Sequence, residues 1–189
     1  RHPKAVPGSQ PQPMTVHYLN LARWLELALP PTTRPELFVT EAEQTFADNL
    51  LKKYGIGNEE PVVGINPGAR FGASKCWSPD YFARLAELLQ ERLHCRLVLF
   101  AGPGEAAIAE SIIMQSRAEI VNTAGDRVDL ARLKPLIRRC DLLVTNDTGP
   151  RHYAVAFDVP VVVIMGSTDP AYTNDNLEKT VVVRKELDC

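Results

Sequence analysis

The chain has 189 residues, of which 45% are hydrophobic and 23% charged, so it is long enough for one sizeable hydrophobic core and short for two. Its 21 basic and 23 acidic residues give a formal charge of -2, which excludes the overall basic charge of a general nucleic-acid-binding protein. No apolar run approaches the roughly 20 residues that cross a bilayer and no signal peptide is recognisable, so we expect a soluble protein.

The four cysteines are widely scattered and form no C-x-x-C pair: Cys76, Cys95, Cys140 and Cys189. This spacing indicates reduced thiols in a cytosolic protein and argues against a zinc site or a disulfide framework. The chain begins with Arg1 instead of Met and stops shortly after a strand-like run at 181–183. We therefore expect a fragment of a longer polypeptide.

Two helices are predicted in the first third of the chain. Residues 1–13 are rich in proline and polar residues and lack periodicity, so a linker or loop is expected there. Apolar residues at helical spacing predict a first helix that begins at Met14 and ends before a Pro-Pro pair. A capping box formed by Thr40 and Glu43 predicts a second helix, which ends at Gly55.

From residue 56 onward, short apolar runs alternate with amphipathic helical patterns. The helical patterns cover 79–93, 104–116, 129–139 and 150–157. The strands follow continuous apolar runs such as LVLF and VVVI, and they cover 61–66, 96–101, 119–122, 141–146, 160–166 and 180–183. This combination predicts an α/β fold with helices on both faces of a parallel sheet. Pro135 predicts a kink or a later start in the helix that contains it.

Four loops follow predicted strands, at the sheet edge where open parallel sheets bind ligands. The first loop, 66–77, contains Gly68 and is rich in glycine. It also carries the cations Arg70 and Lys75, which completes the composition of a phosphate-binding turn. It lacks the G-x-x-x-x-G-K-[ST] pattern of a Walker A motif, and a flexible, solvated loop is an equal alternative. We expect Trp77 to anchor in the core.

The second loop has the pattern G-x-G-x-x-A, beginning at Gly102, which invites a dinucleotide-binding interpretation. That fingerprint needs an acidic residue about 20 positions further on, where this chain has Asn122. An ordinary turn is therefore favoured over NAD binding. Glu105, at the start of the next helix, is placed to accept hydrogen bonds from a ribose.

The third loop, TNDTGPRH, is the most specific segment of the chain. Asp147 or Thr148 is placed to cap the following helix, which aims the amides of Thr148 and Gly149 outward at the positive end of the helix dipole. An anion fits there, with Arg151 or His152 placed to neutralise its charge. An ordinary N-cap is the alternative. Asp-Thr-Gly is also the aspartic-protease signature, but that fold requires a β-rich framework.

The fourth loop, 166–170, adds small and hydroxylic residues. Together the four loops predict a polar pocket sized for a phosphorylated ligand. No Asp-x-Asp metal motif is present, so no divalent cation is required, and no cofactor is expected.

Three segments, in this order, resemble the successive motifs of the family 9 glycosyltransferases, the ADP-heptose:lipopolysaccharide heptosyltransferases: NPGARFGASKCW, FAGPGEAA and VTNDTGPRHYAVAFDVPVVVIMGSTDP. The Phe-Gly-x-x-Lys spacing is closest to the heptosyltransferase II type. The resemblance runs from Pro61 to the end of the chain. In addition, the helix from Met14 resembles the segment that joins the two domains of that family.

The resemblance implies a GT-B fold, in which two Rossmann-like domains face each other across a cleft. Residues 56–189 correspond to the C-terminal domain, which binds the nucleotide-sugar donor, and 14–55 to a helical interdomain connector. The N-terminal acceptor domain has no counterpart in this chain. Because the catalytic carboxylate of this family comes from that domain, no catalytic residue is expected here.

The resemblance also implies a set of substrate-binding residues: Lys75 for the diphosphate, Glu105 for the ribose, Val128 near the adenine pocket, Asp147, Thr148 and Gly149 for the phosphates and donor sugar, and His152 beside them. The chain departs from the family pattern at two positions. Cys76 stands where a basic residue is usual, and Arg151 stands where an apolar residue is common. Positive charge is thereby shifted from one loop to the other.

The activity implied is that of an inverting glycosyltransferase that moves heptose from ADP-heptose to the lipopolysaccharide inner core. Such an enzyme works in the cytoplasm, at the inner face of the cytoplasmic membrane, with peripheral membrane contact and no nucleic-acid partner. The residues leave three alternatives open. One is another nucleotide-sugar enzyme of this architecture, such as a UDP-dependent glycosyltransferase or an epimerase. The second is a non-catalytic sugar-nucleotide-binding module, and the third is NAD-dependent redox chemistry at the second loop.

Overall fold

The structure is a computed structural model that describes residues 11–69, 73–102, 104–166, 168–173 and 175–185. Most of the predicted linker 1–13 lies outside the described residues. Along the described chain, helices and strands follow in the predicted order: α1 (Met14–Trp24), α2 (Glu41–Lys53), β1 (Val62–Asn66), α3 (Pro79–Leu93), β2 (Arg96–Leu99), α4 (Ala106–Gln115), β3 (Ile120–Asn122), α5 (Leu130–Arg139), β4 (Leu142–Asn146), α6 (Gly149–Ala156), β5 (Val161–Met165) and β6 (Thr180–Arg184).

The six strands form one sheet in the order β3-β2-β1-β4-β5-β6, and every neighbouring pair is parallel. Val63 of β1 lies beside Leu97 of β2 on one side and Leu142 of β4 on the other. The strand order therefore reverses between β1 and β4. In open α/β sheets the crevice outside the carboxyl ends of the strands at this switch point is the usual ligand site.

Helices cover both faces of the sheet, as the continuous apolar strands predict. The helices α2, α5 and α6 pack on one face, where Leu136 and Val62 belong to one buried cluster. The helices α3 and α4 pack on the other face, where Phe82 and Val63 belong to a second cluster. Adjacent residues of β1 thus point to opposite clusters, because successive side chains of a strand alternate between the two faces.

The helix boundaries follow local signals in the sequence. The predicted capping box at the start of α2 is present, since the Thr40 hydroxyl accepts from the Glu43 amide and the Glu43 carboxylate accepts from the Thr40 amide. The helix α5 begins at Leu130 behind the N-cap Asp129 and runs through Pro135, so the later helix start is wrong. By contrast, α1 has no buried residue.

Two cysteines are buried in the core, on opposite faces of the sheet. Cys140 belongs to the cluster beneath α5, and Cys95 to the cluster beneath α3. Burial raises the pKa of the Cys140 thiol to about 12, which keeps it protonated and unreactive in the native protein.

Candidate functional site

A cavity of about 800 Å³ opens where β1 and β4 end and the strand order reverses. Its walls come from the loops that follow β1, β2 and β4, the last residue of the β2 loop being the N-cap of α4, and from the segment that opens α5 and the first residues of α6. Six of the predicted site residues line it: Lys75, Glu105, Val128, Asp147, Thr148 and Gly149. The fold therefore brings residues that are up to 74 positions apart in the printed sequence to one crevice.

Two asparagines at strand ends connect the loops around the cavity by side-chain hydrogen bonds. Asn146 is fully buried; its side chain donates to the Pro67 carbonyl at 2.7 Å and accepts from the Trp77 amide at 3.1 Å. Asn66 donates to the hydroxyls of Thr145 and Thr148 at 3.1 and 3.2 Å. Neither asparagine has a role that its sequence pattern predicts, although each is the last residue of its strand.

Trp77, whose amide makes one of these bonds, is anchored as predicted. Its ring is partly buried against the cluster beneath α3, stacks on Tyr81 and meets Phe82 edge to face. The first loop therefore ends at a fixed point, immediately after Lys75 and Cys76.

Asp147 is the electrostatic centre of the site. Its carboxylate is 8% exposed and has two cationic partners, Lys75 at 3.2 Å and Arg151 at 2.9 Å. Burial by itself would raise the pKa of Asp147, but the hydrogen bonds from Arg151 and Lys75 outweigh burial and hold it below its usual range. The carboxylate is therefore ionised at neutral pH.

The positive charge of Arg151 does not face the cavity. The prediction that Arg151 neutralises an anion bound at the third loop is therefore corrected. The side chain is 2% exposed and does not line the cavity. Its guanidinium donates to Asp147 and to the hydroxyl and carbonyl of Thr173, at 2.9, 3.1 and 2.8 Å. Because a buried cation requires close partners, these contacts determine where the side chain points.

The first residues of α6 present backbone amides to the cavity. Thr148 is the N-cap, but its side chain does not bond to the helix, because its hydroxyl accepts from Asn66. Gly149 is exposed, and Pro150 has no amide hydrogen. The amides of this first turn carry the positive end of the helix dipole and have no side-chain cap, which is the arrangement that binds phosphate groups.

Glu105 belongs to the second loop and contacts the first loop. Its carboxylate accepts from the Gly102 amide at 2.7 Å, within the turn that opens α4. The same carboxylate packs on Gly68, where a Cβ atom would overlap it. Gly68 is therefore needed for close approach between the loops, and the carboxylate is held in position at the cavity wall.

The rest of the lining is mainly apolar and comes from three elements. Phe100 follows β2, Val128 precedes α5, and Leu133 ends the first turn of α5; all three are buried. A crevice with an apolar wall and a few convergent polar groups is typical of a small-molecule site. The chain has Asn122 as the last residue of β3, so no carboxylate ends that strand.

His152 does not line the cavity, unlike the other predicted site residues. His152 as a whole is exposed. The protein atoms around its ring and the positive charge of Arg151 lower the pKa of His152, and the negative charge of Asp147 opposes this shift without cancelling it. The imidazole is therefore neutral at pH 7. Arg70 of the first loop, Pro103 of the second and Ser167 of the fourth lie outside the described residues.

Within the described ranges, no group of three or more His, Cys, Asp or Glu side chains is arranged to hold a metal ion. None of the described helices is long and apolar enough to cross a membrane.

Comparison with known proteins points to one family. The model of glycosyltransferase family 9 (heptosyltransferase) matches residues 3–189. The chain is 33% identical over 162 residues to lipooligosaccharide heptosyltransferase 2 of Haemophilus influenzae, covering 82% of this chain and 45% of that protein. It is 31% identical over 158 residues to lipopolysaccharide heptosyltransferase 2 of Escherichia coli K12, covering 82% and 44%. The chain thus spans about half the length of the curated relatives it matches.

Solved structures give the same result for the fold. The structure of an Escherichia coli ADP-heptose lipopolysaccharide heptosyltransferase II is 30% identical, with a TM-score of 0.69 over 82% of this chain and 47% of that chain. A family 9 glycosyl transferase from Veillonella parvula has a TM-score of 0.84 over 93% of this chain and 50% of that chain, at 23% identity. These likenesses confirm the predicted fold class, a Rossmann-like parallel sheet of the GT-B type.

Proposed function

Because the chain belongs to glycosyltransferase family 9, the heptosyltransferases, we propose that it forms the donor-binding half of an enzyme that transfers heptose from ADP-heptose to the lipopolysaccharide inner core. Two of its relatives are named lipopolysaccharide or lipooligosaccharide heptosyltransferase 2, and a structure 30% identical to it is described as an ADP-heptose enzyme. We further propose the division into a connector, 14–55, and a donor-binding domain, 56–189. The cytoplasmic location at the inner membrane face belongs to the same proposal.

The observation that carries the proposal is the composition of the cavity. Lys75 and the uncapped amides at Thr148 and Gly149 supply positive charge for a diphosphate. Glu105, held by the Gly102 amide, supplies acceptors for ribose hydroxyls. The apolar wall around Val128 offers a surface for a planar base. These three kinds of contact correspond to the three parts of a nucleoside diphosphate.

The cavity also accounts for leaving-group stabilisation during transfer. When the bond between the sugar and the diphosphate breaks, negative charge grows on the departing ADP. Lys75 and the α6 amides lie where that charge develops, and preorganised donors of this kind lower the barrier of the chemical step. The acceptor hydroxyl needs a general base, which we place in the part of the enzyme that this chain does not contain. His152, outside the cavity lining, is a neighbour of the phosphate-binding turn.

The proposal is tested by titrating the 189-residue chain with ADP, UDP and GDP in a calorimeter. We expect ADP to bind most tightly, and a preference for UDP would contradict the heptose assignment. Lys75→Ala is expected to weaken ADP binding by about 10- to 150-fold, since a charge-assisted phosphate contact contributes about 1.5–3 kcal/mol. The matched control is Lys52→Ala, which removes an exposed lysine of α2.

Transfer itself is tested with radiolabelled ADP-heptose and a lipopolysaccharide acceptor. The isolated chain is expected to bind ADP without transferring sugar, because the family resemblance assigns the catalytic carboxylate to the N-terminal domain. Measurable transfer by this chain would show that the catalytic carboxylate lies among its own residues.

A further inference from the structure

Arg151 is the bulkiest of the fully buried side chains among the described residues. Its guanidinium lies beneath the cavity, between Asp147 at the end of β4 and Thr173 in the segment that follows β5. Two of its nitrogens make the three hydrogen bonds described above, and its Nε has no partner within the described chain. The side chain is thus enclosed by protein and has no route to a ligand in the cavity.

The two oxygens of Asp147 have partners of different mobility. Oδ1 accepts from Arg151, whose side chain is 2% exposed, and Oδ2 meets Lys75, whose side chain is 28% exposed and lines the cavity. The Lys75 ammonium can turn toward a ligand by rotating its own side chain. Arg151 cannot leave without opening the core around it. One counter-charge of Asp147 is therefore fixed and the other is exchangeable.

We propose that Arg151 is a positioning residue, which holds the charge and orientation of Asp147 so that Lys75 can move from that carboxylate to a bound diphosphate. This inference rests on the proposed function, because it requires the cavity to bind a diphosphate. Its content is separate, since it concerns a residue that never touches the ligand.

The physical reason is the penalty of stranding a buried charge. If Lys75 were the only partner of Asp147, its transfer to a phosphate would leave an unpaired carboxylate that is 8% exposed. The lysine would then stay with the carboxylate, or the carboxylate would take up a proton. With Arg151 in place, Asp147 keeps one charged partner throughout. Lys75 becomes available without any change of protonation.

The test compares the ADP dissociation constants of the Arg151→Met and wild-type chains between pH 5 and pH 8. The ratio of the two constants cancels the ionisation of ADP itself. Without Arg151, Asp147 loses its last charged partner when Lys75 turns to the ligand, so binding by the variant is coupled to proton uptake and is favoured by acid. We expect the variant to bind about tenfold more weakly at pH 8, with the ratio decreasing as the pH is lowered toward 5. Arg151→Lys, which retains a cation, is expected to give a much flatter ratio.

Other titratable groups lie near Asp147, and the same series of measurements includes a control for His152. His152 follows Arg151 on α6, and Glu105 and Asp129 line the same cavity. Because histidine is the side chain whose ordinary pKa lies in this pH range, the pair is also measured in a His152→Gln background, where the pH dependence is expected to persist. The substitution Asp147→Asn removes the titrating group. The ADP dissociation constant of the double variant Asp147→Asn, Arg151→Met, divided by that of Asp147→Asn alone, is therefore expected to be independent of pH.

Each outcome decides between the alternatives. A ratio for Arg151→Met that does not vary with pH overturns the inference and leaves Arg151 as an anchor for the segment around Thr173. If Arg151→Met does not fold, recovery of folding in the double variant with Asp147→Asn supports the charge-holding role, and no recovery overturns it. A wild-type chain that binds neither ADP nor inorganic pyrophosphate defeats the proposed function, whereas wild-type binding with a flat ratio defeats this inference alone.

Discussion

Replacing Gly68 with alanine probes the contact between the first two loops of the cavity. A Cβ atom at this position would overlap the carboxylate of Glu105. Gly68 has an ordinary backbone conformation, so the effect of Gly68→Ala is steric and involves no backbone strain. The carboxylate lies at the end of a flexible side chain and can move away, but it then leaves the Gly102 amide that now donates to it at 2.7 Å.

The magnitude follows from that hydrogen bond. A bond to a charged acceptor contributes about 1.5–3 kcal/mol, and the lower end applies because the displaced Glu105 carboxylate is only half-buried and regains water. We therefore expect Gly68→Ala to lower the free energy of unfolding by about 1.5 kcal/mol. If Glu105 contacts the ribose, its displacement removes one further charged contact, and the ADP dissociation constant rises about tenfold.

Urea denaturation and calorimetric titration with ADP measure the two effects. Gly125→Ala is the matched control, because a Cβ atom there meets no atom within 4 Å. In a double-mutant cycle, Gly68→Ala should add little once Glu105→Ala has removed the overlapping carboxylate. The reasoning is refuted if Gly68→Ala and Gly125→Ala have the same stability and the same affinity for ADP.

Three further predictions concern the hydrogen bonds of Asn146, the buried thiol of Cys140 and the carboxylate of Asp147. Asn146→Ala should destabilise the fold by about 2 kcal/mol in urea, against Asn49→Ala as a control, because Pro67 and Trp77 lose buried partners. Alkylation followed by peptide mass spectrometry at pH 8 should leave Cys140 unmodified until the protein unfolds, since its pKa is about 12. The folded pKa of Asp147 is lowered, so its stabilisation is present above about pH 4 and is lost as the pH falls further. Asp147→Asn should flatten that acid loss of stability.

Much of the site was predictable because its chemistry lies in local patterns. A glycine-containing turn after a strand and the start of a helix are local features that favour phosphate binding. Lys75, Glu105, Thr148 and Gly149 do line one cavity, as expected. Their roles toward a ligand remain predictions, which the titrations above test.

The residues that hold this site together were not predictable in the same way. The bond from Asn146 to Pro67 spans 79 positions, and the bonds from Arg151 to Thr173 span 22. No spacing rule connects such pairs, because they become neighbours only when parallel strands bring their carboxyl ends to one edge. Arg151 is an example. In the sequence its positive charge suggests a residue that binds an anion, but in the structure its side chain is buried and pairs with Asp147.

By itself, the sequence determined that this short, near-neutral chain forms one α/β core, with strands and helices in the order observed, because periodicity and capping are local properties. It also predicted that the loops after β1, β2 and β4 meet at one pocket, and they do. Only the tertiary structure decided how the charges are divided. Lys75 lies in the cavity and Arg151 lies beneath it, with Asp147 between them. The reason is physical, because the partner of a buried charge is set by which groups the fold encloses with it.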